Sequence, residues 1–136
     1  MTCVDILFET DRFNVSEVKK HFINPCCFGE DLAEWLRQKL IAKDVTASTP
    51  GQEDWGWYLF AQRGSDRYFL GVGGHRKENS PAGNEGEWRI IVEKRRSLWD
   101  RLRGRNKITN ADPILSMIEG LLRETGNFRN VRRESS

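Results

Sequence analysis

The sequence predicts a two-layer α+β domain, a mainly antiparallel sheet of four to five strands with two main helices packed on one face. Three observations carry that expectation. Three runs with strand character follow one another between Trp55 and Lys94. Apolar residues recur at steps of three and four in two segments, one on each side of those runs. A tight Gly64-Ser65-Asp66 turn separates the first two runs and requires them to pair as an antiparallel hairpin.

In chain order, Val4, Ile6 and Phe8 alternate with polar neighbours and predict a short first strand. Ser16 to Ile23 has the makings of a short helix capped by Ser16, which Asn24-Pro25 must end. Gly29 to Lys43 predicts the first main helix: Leu32, Trp35, Leu36, Lys39 and Leu40 share a face, and Glu30 and Asp31 sit at its positive N-terminal end. The strand runs are Trp55 to Gln62, Arg67 to Gly73 and Glu87 to Lys94. In the third, Trp88, Ile90 and Val92 face one way and Arg89, Ile91 and Glu93 the other, so one face is buried and the other partly wet. Gly74 to Gly86, polar and holding Pro81, reads as a long mobile loop. Ser97-Leu98-Trp99-Asp100 has capping-box spacing and predicts one or two helical turns, with Leu98, Trp99 and Leu102 as a stripe closing over the core. Asp112 as N-cap, Pro113 at the first helical position, the stripe Ile114, Leu115, Ile118, Leu121 and Leu122, and Gly126 at the stop predict the last helix. The basic end from Phe128 to Ser136 is expected to fray, unless Phe128 and Val131 anchor it. The core is expected to include Trp35, Leu36, Trp57, Leu59, Trp88, Ile90, Ile118 and Leu122.

Residues 1–136 are the size of one domain that buries its core without staples. Charged residues make up 31% of the chain, but five Trp and seven Phe supply packing units that a disordered chain lacks. No window is apolar for the roughly 18 residues that a membrane span needs, and the first residues have no signal-peptide pattern. A cytoplasmic protein with no membrane partner is expected. The formal net charge of +2 conceals an asymmetry: residues 91–136 carry 11 basic and 6 acidic side chains, the rest 11 and 14. Lys94 to Lys107 alone holds seven cations and one acid, the single stretch that points to an anionic partner.

Cys3, Cys26 and Cys27 read as reduced thiols, since adjacent cysteines are poorly placed to bridge one another. Cys26-Cys27 stands at the entrance to a helix, where N–H groups lower a thiol's pKa, but Glu30 and Asp31 act against that. His21 and His75 are far apart, and neither paired-cysteine nor paired-histidine ligand spacing occurs, so no metal and no cofactor are expected. Gly71-Val72-Gly73-Gly74 is glycine-rich, but no helix follows it as a phosphate loop requires. In Glu53-Asp54-Trp55-Gly56-Trp57-Tyr58 the adjacent carboxylates of an extended chain point to opposite faces, which does not converge an acid and a base on one atom. Core packing explains most of these aromatics. Their functional reading is an exposed binding edge of Glu53, Asp54, Trp55 and Tyr58, joined by His75 and Arg76 of the following loop. Arg95, Arg96, Trp99, Arg101, Arg103 and Arg105 form the alternative site, in which cations surround an aromatic able to stack on a base.

Ile23-Asn24-Pro25-Cys26-Cys27-Phe28-Gly29-Glu30-Asp31, Glu53-Asp54-Trp55-Gly56-Trp57 and Glu87-Trp88-Arg89-Ile90 resemble stretches of small uncharacterised bacterial α+β proteins, among them immunity-type proteins that neutralise toxins by binding. The resemblance implies no catalytic residue. The expected function is a non-catalytic protein-binding module of immunity, inhibitor or adaptor type, whose partner is another protein such as a toxin or effector. A nucleic-acid binder using residues 94–107 is the alternative, and a small enzyme of unrecognised type the third.

Overall fold

A computed structural model describes residues 3–17, 19–22, 28–78 and 85–135. The strands are β1 (Val4–Thr10), β2 (Thr46–Ala47), β3 (Gly51–Glu53), β4 (Gly56–Arg63), β5 (Asp66–Arg76), β6 (Gly86–Lys94) and β7 (Arg129–Ser135). The helices are α1 (Glu30–Ala42), α2 (Leu98–Arg103) and α3 (Pro113–Thr125). All strands join one antiparallel sheet in the order β2-β4-β5-β6-β1-β7, with β3 beside β2 on the same edge of β4. Ser48 bridges the break between β2 and β3: its N–H donates to the Phe60 carbonyl at 2.9 Å, and its Oγ accepts from the Phe60 N–H at 2.8 Å.

The expected two-layer α+β domain with four to five strands and two main helices is overturned. Among the described residues 40% are strand, in seven strands, against 26% in three small helices, so the fold is mainly antiparallel sheet. The additional strands are those without apolar alternation. β7 has Val131 as its one large apolar residue, and it forms because its backbone pairs with β1 from Val4↔Ser135 to Glu9↔Arg129. Its Arg133 turns to the buried side and is satisfied by Glu119, 2.5 Å away, which holds the guanidinium above its ordinary pKa. The expected frayed tail is therefore an edge strand, preceded by Phe128 packed on Phe8, Phe13 and Trp35. Residues 16–17 and 19–22 form bends and a turn rather than helix, the rest of that expected helix lying outside the described residues.

Register explains the core. Val4, Val92, Leu70 and Leu59 lie in one row across β1, β6, β5 and β4, and Ile6, Ile90, Val72 and Trp57 in the next. All eight are buried, together with Leu32, Leu36 and Leu40 of α1 and Ile114, Leu115, Ile118 and Leu122 of α3. Of the expected core residues only Trp35 is half-buried. Side chains alternate across a strand, so the remaining positions of the same strands form the opposite face. There Leu7, Tyr58, Phe69 and Ile91 are half-buried, and Phe60, His75, Glu87, Arg89, Arg132 and Glu134 are exposed.

Beside the core, Asp112 ties sheet to helix. Its Oδ1 accepts from the Tyr68 hydroxyl at 2.8 Å and from the Ile114 N–H at 3.0 Å, capping α3 as its sequence predicts. Burial, and then the bond to Asp112, push the Tyr68 phenol well above its ordinary pKa, so it stays a donor. No helix among the described residues is long and apolar enough to cross a membrane.

Candidate functional site on the open sheet face

The uncovered face divides into an aromatic half and a grooved half. On β4 and β5, Tyr58 and Phe69 stack at 5.9 Å and 18°, and Phe60 meets both edge-on at 5.7 and 5.8 Å. The register pair Phe60↔Phe69 follows directly from the tight turn between the two strands. Arg95 closes one end of this cluster, its guanidinium 4.9 Å from the Phe60 ring centre. Trp55, in the β3–β4 turn, folds back over the face and packs edge-on against Phe69 at 6.0 Å.

Gly71 makes that position of Trp55 available, because a Cβ there would lie 2.7 Å from the indole ring. On the other face Gly74 does the same for Trp88, whose ring would come within 2.1 Å of an added Cβ. The glycine-rich stretch of β5 is thus a seat for two indoles, one on each face.

Beyond Trp55 lies an open groove of about 500 Å³, with Gly73 in its lining and Leu7, Ile91, His75, Arg89 and Arg132 around it. Both signs of charge meet here. His75 Nε2 lies 3.1 Å from Glu87 Oε2, and Arg89 Nη1 is 2.7 Å from Asp5 Oδ2. Asp5 is only 6% exposed, and its Oδ1 has no hydrogen-bond partner among the described residues, so the half-exposed Arg89 is held by a carboxylate beneath it. Lys77 and Asn130 donate to Glu9, which keeps that carboxyl below its usual range.

Of the residues named from sequence, the structure brings Trp55, Tyr58 and His75 onto this face. Glu53 and Asp54 stand at the exposed tip of the β3–β4 hairpin, and Arg76 at the end of β5 opposite Gly86. Phe60, Phe69, Arg89 and Ile91 also belong to the face; alternation already set Arg89 and Ile91 opposite Trp88 and Ile90, but none of the four was named as a site residue. Residues 79–84 of the loop after β5 lie outside the described residues, as do Cys26 and Cys27; Cys3 is half-buried. No group of His, Cys, Asp and Glu suited to a metal occurs among the described residues.

The basic segment differs from its expectation. The Ser97–Asp100 capping box and a left-handed Gly104 at the C-cap define α2, but the helix buries no residue. Leu98, Trp99 and Leu102 are 70%, 68% and 70% exposed, so the expected stripe over the core is overturned. The segment is held instead by its ends: the Arg95 N–H donates to the Arg67 carbonyl, and Ile108 is buried. Arg96 reaches across to the Arg105 carbonyl at 3.2 Å, while Arg101 and Arg103 project from the helix. Trp99→Ala is accordingly expected to shift unfolding free energy by no more than about 0.5 kcal/mol, as for an ordinary surface change. Urea denaturation checks it; a loss of several kcal/mol means that Trp99 is covered after all.

The chain has no match among protein-family models, curated proteins or solved structures.

Proposed function

We propose that this chain is a non-catalytic, cytoplasmic protein-binding module of immunity, inhibitor or adaptor type, and that its partner, a toxin or effector protein, docks on the open sheet face. The observation that carries the reading is the joining of Trp55, Tyr58, Phe60 and Phe69 to a groove bearing charges of both signs. Aromatic and arginine side chains on a rigid support are the usual anchors of protein interfaces. Glu9, Glu87 and Glu134 in the groove would repel a phosphate backbone, whereas they match the mixed charge of a protein surface. Exposed Trp99 among arginines favours nucleic acid as a second reading on α2, one that leaves Leu98 and Leu102 without a role.

Affinity capture of the tagged chain from its own host separates the two. A partner docked on the open face is retained through nuclease treatment and lost from a Trp55→Ala/Phe69→Ala variant. A partner released by nuclease, or by modest salt in proportion to arginines removed from α2, means that nucleic acid is the ligand.

A further inference from the structure

Between Arg96 and Ile108 the chain leaves the sheet to form α2, which buries none of its own residues in the domain. From Ser97 to Lys107 every residue is exposed except Asp100, which is half-buried. Asp100 is consumed locally: its N–H donates to Ser97 Oγ at 3.0 Å, and its carboxylate accepts from the Ser97 N–H. The helix is therefore preformed by its own caps while three large apolar side chains face water.

Their arrangement is directional. At about 100° per residue, Leu98, Leu102 and Trp99 span roughly a quarter of the helix circumference. Arg101 borders that stripe on one side and Arg103 on the other, where it lies 5.6 Å from the Trp99 ring centre. The single acid, Asp100, lies on the far side. Arg95, Arg96, Arg105 and Lys107 add cations at both ends of the excursion. An apolar tip ringed by cations needs a partner that is apolar inside and anionic around the rim.

A phosphate backbone takes the arginines and a base takes Trp99, but neither uses the two leucines. A protein groove would have to supply acids on every side of an apolar slot. A bilayer with anionic lipids supplies that chemistry in all directions: acyl chains for Leu98 and Leu102, the interfacial zone for the indole, and phosphates for the arginines, whose stems can lie along the apolar layer. We propose that α2 is a membrane-surface contact that inserts Leu98, Trp99 and Leu102 at the interface of an anionic bilayer. The expectation of no membrane partner rested on the lack of an apolar window long enough to span a bilayer, a criterion that does not bear on a contact made at the bilayer surface. Arg95 touches Phe60 of the open face, but Leu98, Trp99, Leu102, Arg101, Arg103 and Arg105 line neither the groove nor the aromatic cluster, so substitutions confined to those six test this contact separately.

The test is co-sedimentation of the purified chain with vesicles of phosphatidylcholine alone and of phosphatidylcholine mixed equally with phosphatidylglycerol. The chain is expected to bind the anionic vesicles, weakening as salt rises, and to ignore the neutral ones. Both Leu98→Ser/Leu102→Ser and Arg101→Gln/Arg103→Gln/Arg105→Gln should reduce partition about tenfold or more while leaving the melting transition in place. Lipids brominated in the acyl chain should quench part of the wild-type tryptophan emission, and that part should be missing in Trp99→Phe. No binding to anionic vesicles at low salt overturns the proposal. So does binding that the leucine substitutions leave unchanged, which is charge attraction alone. Preferential binding to a duplex DNA of matched charge, dependent on the arginines and not on the leucines, assigns α2 to nucleic acid instead.

Discussion

Trp88→Ala is expected to cost about 3–5 kcal/mol of folding stability, the range for deleting a large buried aromatic and leaving its cavity. Trp88 is 2% exposed, and Phe13 meets its ring edge-on at 5.7 Å and 80°. Gly74, its partner across β5 and β6, and Gly86, two residues earlier in its own strand, leave the room the indole fills. Because a chain of this size loses roughly 2–8 °C of melting temperature per kcal/mol, the variant should melt well over 5 °C below wild type. Equilibrium denaturation with an unchanged dependence on urea is the readout. A variant that melts like wild type would mean that β6 does not turn Trp88 inward.

Asp112→Ala should rank next, at about 2–4 kcal/mol, because one carboxylate serves two structures. Its loss removes the N-cap of α3, typically about 1 kcal/mol, and strands the Tyr68 hydroxyl, whose burial without a partner costs about 1–3 kcal/mol. Tyr68 is 2% exposed, so water does not readily replace the lost acceptor. Lys94, 3.8 Å from Asp112 and 3.4 Å from Asp66, keeps a second partner in the variant. Asp112→Asn retains an acceptor for both Tyr68 and the Ile114 N–H and should recover more than half of the loss. In a Tyr68→Phe background, Asp112→Ala should cost only about as much as an ordinary cap deletion. Equal losses in both backgrounds would show that Tyr68 and Asp112 are not coupled.

How far the fold could be read from the sequence depended on what held each element together. β1, α1, β4, β5, β6 and α3 were legible because burial dictates their apolar period, and α3 and α2 also carry caps that the chain spells out. β2, β3 and β7 were not. They are edge pieces held by backbone pairing, and a residue such as Arg133 reaches the buried side only because Glu119 meets it there. The same blindness governed the sites. Leu98, Trp99 and Leu102 have the spacing of a core stripe, and spacing alone does not tell a helix that lies on a core from one that leaves it. Trp55 was named from the sequence as part of an exposed edge, but its place over Gly71 depends on a hairpin turn and a glycine one strand away.

The open face as a docking surface is tested most directly by the affinity of a captured partner protein for three forms of this chain: wild type, Trp55→Ala, and Arg101→Gln/Arg103→Gln/Arg105→Gln. Trp55 is 47% exposed and packs edge-on against Phe69 outside the core, so its removal spares the core. If it anchors the interface, a loss of about 2 kcal/mol is expected, or roughly 30-fold in Kd, mainly through faster dissociation. The arginine variant should bind as wild type. Undiminished affinity of Trp55→Ala, together with a weakened arginine variant, would contradict docking on the open face and move the interface to α2.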